Sequence, residues 1–118
     1  MKKAVLALAL IASVFTSTLA GAGASGGPVN HRDTVLGNLT DSFSIVFDKS
    51  KSARIIVNGD GSTDLDCAVY DSSGHYIDSD NDPGDTCLLT FTPAWTGKFT
   101  VKVINRGSSA NEYTLRTN

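Results

Sequence analysis

The sequence predicts a small all-β domain, an antiparallel sandwich or barrel of about seven short strands. Apolar and polar residues alternate with a period of two in several short segments, and no window has the period of an amphipathic helix. Of the 12 acidic residues, 11 are aspartate, and eight of these lie between residues 60 and 85, a stretch without lysine or arginine. Because helical surfaces usually carry Glu and Lys, whereas Asp favours turns, this composition also argues against helices.

Seven segments show the alternation. In chain order they are SFSIVFD (42–48), ARIIVNG (53–59), LDCAVYD (65–71), HYID (75–78), CLLTFTP (87–93), KFTVKVI (98–104) and EYTLRT (112–117). In the sixth segment, for example, Phe99, Val101 and Val103 share one face of the strand. Turn residues separate the segments: in DPGD, Pro83 and Gly84 suit the two central positions of a type II turn.

The N-terminus has the layout of a secretory signal peptide over residues 1–20. Lys2 and Lys3 precede an apolar run, and small residues offer a cut after Ala20 or Ala22. The apolar run is too short for a membrane span, which needs roughly 20 residues. We therefore expect an exported protein, periplasmic or extracellular, with no membrane insertion once the signal is removed.

The rest of the chain divides into a leader and one folded domain. Residues 21–30 are rich in Gly, Ala and Ser, and we predict a flexible leader over residues 21–37. The folded domain is expected over residues 38–118. At this size buried surface alone gives modest stability, so a cross-link would contribute a large share.

Cys67 and Cys87 are the only cysteines, and an exported chain meets oxidising conditions, so we predict a disulfide between them. Cys67 has the same parity as Leu65, and Cys87 the same parity as Leu89, so both thiols point to the apolar side of their strands. The bridge would join neighbouring strands or the two sheets of a sandwich. It closes a loop of about 20 residues, worth roughly 3 kcal/mol in the chain-entropy model.

Charge and motifs argue against two classes of function, nucleic-acid binding and catalysis, although the abundance of Asp leaves a paired-carboxylate hydrolase as an alternative. Without Lys2 and Lys3 the chain has 8 basic and 12 acidic residues, a net charge of −4, so we expect no nucleic-acid partner. The sequence has no Gly-x-Ser-x-Gly elbow, no His-Glu-x-x-His motif and no Gly-rich phosphate loop before a helix. A sandwich this small has little room for a pocket that shifts a carboxylate pKa. We therefore expect a protein that is not an enzyme.

Several motifs in their order resemble the bacterial pre-peptidase C-terminal (PPC) domain. They are TDLDCAVYD, the DSSG turn, FTPAWTGKFTVKVIN and the closing NEYTLRT, and the similarity covers about residues 40–118. The resemblance implies a jelly-roll-like β-sandwich of seven or eight strands without catalytic activity, usually appended to secreted proteases or other exported enzymes. It also implies that relatives bind calcium, and that some bind collagen or polysaccharide. The sequence departs from the family pattern at Cys67, where the family usually has an aliphatic residue.

Five aspartates are candidate calcium ligands: Asp64, Asp66, Asp78, Asp80 and Asp82. Calcium takes six to eight oxygen ligands, mostly from Asp, Glu and backbone carbonyls. Asp64 and Asp66 share one side of a strand, the other three are spaced by two, and a disulfide could bring the two segments together. The alternative is that aspartates of this stretch serve the backbone. In that interpretation Asp71, Asp82 and Asp85 cap turns, while Asp60, Asp64 and Asp66 occupy loops and the polar face of an edge strand. The sequence leaves both interpretations open.

Trp95 is the only tryptophan and has two interpretations: a stacking platform for a ligand such as a sugar, or a plug at a corner of the sandwich. The function that these observations favour is an exported, non-catalytic binding module, with calcium as a candidate stabilising ion. It would recognise an envelope or extracellular polymer, or a partner protein, through loops at one end. The alternative is a structural periplasmic or surface assembly component that acts by edge-strand pairing.

Overall fold

The computed structural model describes residues 23–118, which form eight β-strands. These are β1 (Asn30–Val35), β2 (Thr40–Phe47), β3 (Ala53–Asn58), β4 (Leu65–Asp71), β5 (Tyr76–Asp80), β6 (Thr86–Phe91), β7 (Gly97–Asn105) and β8 (Asn111–Thr117). The signal peptide predicted for residues 1–20 and its two candidate cuts lie outside the described residues. Within residues 23–118 no helix has the length and apolar character needed to cross a membrane.

The strands form two four-stranded antiparallel sheets. Sheet I has the order β1-β8-β3-β6 and sheet II the order β2-β7-β4-β5. In this order each sheet takes strands alternately from both halves of the chain, which is the arrangement of a jelly roll. The predicted small antiparallel β-sandwich is therefore confirmed, including its jelly-roll character.

The core lies between the two sheets and is built from the alternating positions that the sequence predicts. Its largest fully buried side chains are Val35, Phe43, Ile45, Phe47, Ile55, Val57, Leu65, Val69, Leu89, Phe99, Tyr113 and Leu115. Edge-to-face contacts at 5.2 Å and 6.0 Å join the ring of Phe47 to those of Phe91 and Phe99. Such aromatic pairs add about 0.5–1.5 kcal/mol each beyond the area that they bury.

The prediction of a flexible leader over residues 21–37 is wrong for the segment that the structure describes. Residues 30–35 form β1, which pairs with β8 along its whole length. Ala24 and Val29 are buried in the core, and the Ser25 N–H donates a hydrogen bond to the Val46 carbonyl at 2.8 Å. The sequence pattern conceals β1 because the inward positions in its first half carry polar side chains rather than apolar ones.

The predicted disulfide between Cys67 and Cys87 is confirmed. Cys67 lies on β4 of sheet II and Cys87 on β6 of sheet I, so the bridge joins the two sheets. Both residues are buried, as their parity predicts, and their Cα atoms are 6.1 Å apart. The cross-link therefore fixes the distance between the sheets near one margin of the core.

The connecting loops gather at two ends of the sandwich. One end, here called the aspartate end, contains loops 36–39, 59–64, 81–85 and 106–110. Backbone hydrogen bonds join these loops, for example from the Gly59 N–H to the Asp85 carbonyl and from the Arg106 N–H to the Asp64 carbonyl, both at 2.9 Å. The opposite end, here called the aromatic end, contains loops 48–52, 72–75 and 92–96.

Candidate functional site

The structure does not bring the five candidate calcium ligands together. In the β4–β5 pair, Asp78 lies directly opposite Val69 and Asp80 directly opposite Cys67, so both aspartates share the inward-facing side of sheet II. Asp66 neighbours Cys67 in the chain and therefore projects from the opposite face. Among residues 23–118 no group of three or more His, Cys, Asp and Glu side chains is placed to hold a metal ion.

Asp78 and Asp80 connect the edges of the two sheets. Asp78 Oδ2 accepts a hydrogen bond from the Thr90 N–H at 3.1 Å, and Asp80 Oδ2 accepts one from the Leu88 N–H at 2.9 Å. These donors belong to β6, the edge strand of sheet I, whose other side pairs with β3. Because a free edge with unpaired N–H groups invites pairing with another chain, the two carboxylates protect this edge.

Asp82 belongs to a turn. Its N–H donates a hydrogen bond to Asp80 Oδ1 at 3.1 Å, which is the local bond by which aspartate initiates a turn. Two residues later, Gly84 has a φ of 104°, in the region that favours glycine and that the DPGD pattern predicts. Within DSDNDPGD, Asp78, Asp80 and Asp82 thus all contribute to strand edges and turns.

Unlike Asp78, Asp80 and Asp82, Asp64 and Asp66 each have one buried carboxylate oxygen that takes no part in a strand edge or a turn. Asp66 Oδ2 accepts a hydrogen bond from Arg106 Nε at 2.8 Å, in an ion pair whose carboxylate side is largely buried. Asp64 Oδ1 and Asp66 Oδ1 are buried, and no hydrogen-bond partner for either lies in the described part of the chain. Two carboxylates fall short of the six to eight oxygens that calcium takes, so calcium binding stays a prediction.

Two further aspartates, Asp60 and Asp85, stabilise loops at the aspartate end. Asp85 Oδ2 accepts hydrogen bonds from the Gly61 N–H at 2.5 Å and from Asn111 Nδ2 at 3.1 Å. The Ser62 hydroxyl, together with the N–H groups of Ser62 and Glu112, lowers the pKa of Asp60. These contacts support the alternative interpretation, in which Asp60 occupies a loop and Asp85 caps a turn.

A cleft of about 320 Å³ lies on the outer face of sheet II at the aromatic end. It is lined by Tyr70, Asp71, Ser72, Gly74, Thr100 and Lys102. The Lys102 ammonium lies 5.0 Å from the centroid of the Tyr70 ring, within the range of a cation–π contact. Tyr76 makes an edge contact with Tyr70 at 6.2 Å between centroids and leaves 61% of its surface exposed.

Asp71 fixes the hairpin that borders this cleft. Its Oδ1 accepts hydrogen bonds from the N–H groups of Ser73 and His75, each at 2.9 Å, and its Oδ2 lies 3.1 Å from His75 Nδ1. The bond from the His75 N–H is the main cause of a lowered pKa for the buried Asp71 carboxyl. The turn that borders the cleft is therefore held in place by a charged anchor, which favours a preformed site.

Trp95 lies at the same end, since it stacks on Phe99 and Phe99 pairs directly with Asp71. The two rings are 6.1 Å apart at 21°, and a side chain at Gly97 would come within 3.1 Å of the indole. The indole still exposes 45% of its surface. One face of the indole packs on Phe99, which is compatible with a plug at a corner of the sandwich. Contact of the other face with a ligand stays a prediction.

The described residues do not assemble a nucleophile with a base. His75 Nδ1 faces Asp71, and His31 Nε2 lies 3.6 Å from Asp33 Oδ2. Within residues 23–118 no hydrogen bond joins either imidazole to a serine, threonine or cysteine side chain. Sequence reasoning predicted the DSSG turn but missed the Tyr70 cleft, because the cleft depends on which strands are neighbours.

Solved structures share this architecture. The pre-peptidase C-terminal domain of a collagenase from Bacillus anthracis superposes with a TM-score of 0.65 at 16% identity, covering 76% of this chain and 88% of that domain. The chain has a PPC-like fold. The PPC-like chain also resembles Aeromonas hydrophila PliG, a periplasmic inhibitor of g-type lysozyme, with a TM-score of 0.57, 14% identity and coverage of 77% and 84%.

A third neighbour of this PPC-like fold is the Yersinia pseudotuberculosis-derived mitogen, with a TM-score of 0.52, 13% identity and coverage of 78% and 85%. No protein-family model matches the sequence, and no curated protein matches it. At identities of 13–16% these similarities establish the fold, which is the part of the predicted resemblance that is confirmed.

Proposed function

We propose that this protein is an exported, non-catalytic binding module that recognises an envelope or extracellular polymer, or a partner protein, through the Tyr70 cleft. The observation that carries the proposal is the set of side chains that line the cleft, next to a turn that Asp71 holds in place. The Tyr70 ring, the Lys102 ammonium and the hydroxyls of Ser72 and Thr100 line one concavity, and Asp71 anchors the turn that borders it. The exposed Tyr76 ring lies beside the concavity, in edge contact with Tyr70. Tyrosine supplies a large contact area at a low cost in conformational entropy, which suits a binding surface.

The fold and the disulfide support other parts of the proposal. The buried bridge between the sheets is typical of proteins that fold in an oxidising compartment, which favours export. The Aeromonas hydrophila neighbour inhibits a lysozyme, so a sandwich of this shape serves there as a protein-binding scaffold. The collagenase neighbour is a domain of an enzyme that acts on a polymer, which favours the polymer alternative.

Edge-strand pairing is the less favoured mechanism. Asp78 and Asp80 engage N–H groups of the β6 edge, and Ala24 forms an isolated bridge with Phe47 at the end of the β2 edge. These contacts occupy donors and acceptors that strand addition would need. We therefore place recognition at the Tyr70 cleft rather than at the sheet margins.

Mutation of Tyr76, whose exposed ring borders the cleft through its contact with Tyr70, provides the test. We expect wild-type protein to be retained on insoluble peptidoglycan or on a collagen matrix, and Tyr76→Ala to weaken that retention about tenfold, because exposed aromatic anchors contribute most to such contacts. Tyr76 lies on the surface, so its replacement leaves the core intact. Binding is measured as the free fraction at increasing amounts of matrix, at constant ionic strength.

The matched control is Leu88→Ala, which removes an exposed side chain from the outer face of sheet I. It is expected to bind like the wild type. Equal retention of Tyr76→Ala and wild type would contradict the cleft. Oligomers in size-exclusion chromatography without retention on either matrix would instead favour strand-mediated assembly.

We also propose calcium as a stabilising ion at Asp64 and Asp66. The proposal is based on their two buried carboxylate oxygens, which have no hydrogen-bond partner within residues 23–118. At a calcium concentration 100 times the dissociation constant, binding adds about 2.7 kcal/mol, which corresponds to a rise in melting temperature of roughly 10–20 °C relative to EDTA. Asp64→Asn with Asp66→Asn is expected to abolish this difference. Asp78→Asn with Asp80→Asn is expected to retain it, and identical melting in calcium and EDTA for the wild type would refute the proposal.

A further inference from the structure

Three arginines form a straight diagonal across the outer face of sheet I, here called the arginine diagonal: Arg32, Arg116 and Arg54. Arg116 on β8 lies directly opposite Asn30 on β1 and Ile56 on β3. Both β1 and β3 are antiparallel to β8 and therefore run in the same direction. Since Arg32 comes two residues after Asn30 and Arg54 two residues before Ile56, the three positions are collinear.

The spacing along this diagonal follows from sheet geometry. Neighbouring strands are about 4.8 Å apart and two residues advance about 6.8 Å along a strand, so successive arginine positions are about 8 Å apart. The whole diagonal spans about 16 Å over β1, β8 and β3. All three side chains are exposed, so the guanidinium groups present a row of positive charge to solvent.

Little on the protein neutralises this row. The Nε of Arg32 lies 3.9 Å from Glu112 Oε2, with 71% and 55% of the two side chains exposed, an arrangement worth little in water. Within residues 23–118 no ion pair involves Arg54 or Arg116. This row of positive charge contrasts with the rest of the described chain, in which acidic residues exceed basic ones and concentrate at the aspartate end.

The surface beside Arg32 is suited to hydroxyl groups. A cleft of about 250 Å³ on the same face is lined by Arg32, Asn58, Gly59, Asp60, Glu112, Tyr113 and Thr114. Its amide, hydroxyl and carboxylate groups can donate to and accept from sugar hydroxyls. The ring of Tyr113 is buried in the core, so on this face no outward-pointing strand residue offers a ring for stacking a nucleobase.

We propose that the arginine diagonal binds a linear acidic polysaccharide, a polymer with carboxylates repeated along a chain of hydroxylated sugars. The planar guanidinium fork matches a carboxylate and donates two parallel hydrogen bonds to it. Each exposed contact is weak, but a linear polyanion engages several at once and gains from the effective concentration of the later contacts. A flat row beside a polar cleft fits such a chain better than it fits an apolar protein anchor.

This site goes beyond the proposed function, because it lies on the outer face of sheet I whereas the Tyr70 cleft lies on sheet II. The two proposals can therefore fail separately. Tyr76→Ala, the variant that tests the cleft, is expected to bind an acidic polysaccharide like the wild type.

The test uses polygalacturonate as the carboxylated probe and dextran as the neutral one, with binding followed by affinity electrophoresis at low ionic strength. Wild-type protein is expected to be retarded by polygalacturonate and not by dextran. Arg54→Gln with Arg116→Gln is expected to weaken the retardation about tenfold, since it removes two charge-assisted contacts. Lys49→Gln with Lys98→Gln removes the same charge from exposed positions off this face and is expected to stay within twofold of wild type.

Three outcomes would overturn the proposal. Wild-type protein that migrates freely through polygalacturonate has no such site. Equal loss in the arginine and lysine double variants would mean that net charge rather than the diagonal governs retardation. Tighter binding to polyglutamate than to polygalacturonate, lost in the arginine variant, would assign the diagonal to an acidic polypeptide instead.

Discussion

Replacement of both Cys67 and Cys87 with alanine is expected to lower the melting temperature by roughly 12–24 °C. The cross-link closes a loop with a sequence separation of 20, and in the chain-entropy model such a loop is worth about 3 kcal/mol. In a domain of this size each kcal/mol moves the midpoint by roughly 4–8 °C. The measurement is thermal unfolding followed by circular dichroism, with both proteins at the same pH and ionic strength.

The position of the bridge explains why other contacts would not compensate. It joins β4 to β6, the edge strand of sheet I, and the loop that it closes contains β5 and DSDNDPGD. On that margin the remaining links between the sheets include the hydrogen bonds from the Leu88 and Thr90 N–H groups to Asp80 and Asp78. These are exposed bonds, so they contribute less than the cross-link.

Reduction of the wild type supplies the matched control. Wild-type protein in dithiothreitol is expected to melt near the double alanine variant, whereas the variant itself should not respond to the reductant. A shift below about 4 °C in the oxidised comparison would show that the bridge contributes less than about 1 kcal/mol. In that case the core alone would hold the sheets together.

The fold could be read from the sequence wherever apolar residues mark the inward positions. In β7, Phe99, Val101 and Val103 share one face by parity, and all three are buried in the structure. In β1 the corresponding inward positions are His31 and Asp33, which lie opposite Leu115 and Tyr113 on β8. Because the outward positions Asn30, Arg32 and Thr34 are polar as well, the alternation disappears and no longer predicts a strand.

The surface sites depend on information that a period of two does not contain. Parity shows that Asp66 and Cys67 face opposite sides of β4, but only the register shows that Asp80 lies opposite Cys67 and hence away from Asp66. The same holds for the arginine diagonal, because its members come from three strands that are distant in the chain. Sequence patterns thus predict which face a residue occupies, while strand order decides which residues meet on it.

Tyr113→Phe is expected to destabilise the protein by about 2 kcal/mol at neutral pH, a loss of roughly 8–16 °C in melting temperature. The Tyr113 hydroxyl donates a hydrogen bond of 2.7 Å to Asp41 Oδ2, and the two residues are 1% and 0% exposed. Phenylalanine fills the same space but removes that donor from a carboxyl group that water does not reach. A buried polar group that loses a donor bears a desolvation penalty.

The pair of Tyr113 and Asp41 also makes the stability of the folded protein depend on pH in the alkaline range. Burial raises the pKa of Tyr113, and the hydrogen bond and charge of Asp41 raise it further. In the unfolded chain a tyrosine loses its proton near pH 10, whereas the folded hydroxyl keeps it. The unfolded state therefore binds fewer protons above pH 10, so the stability that is complete below that pH falls as the pH rises, by up to about 1.4 kcal/mol per pH unit.

Urea unfolding of wild type and Tyr113→Phe between pH 7 and pH 11 tests both the loss of stability in the variant and the pH dependence of the wild type. The free-energy gap between them is expected to be largest at neutral pH and to narrow above pH 10, because the variant lacks the titrating hydroxyl. Tyr76→Phe is the matched control, since it removes a hydroxyl whose bond to Ser79 lies on the surface, and it should leave stability within about 0.5 kcal/mol of wild type. A gap that stays constant across this pH range would mean that Tyr113 ionises in the folded state as readily as in the unfolded one, and that its bond to Asp41 does not hold the proton in place.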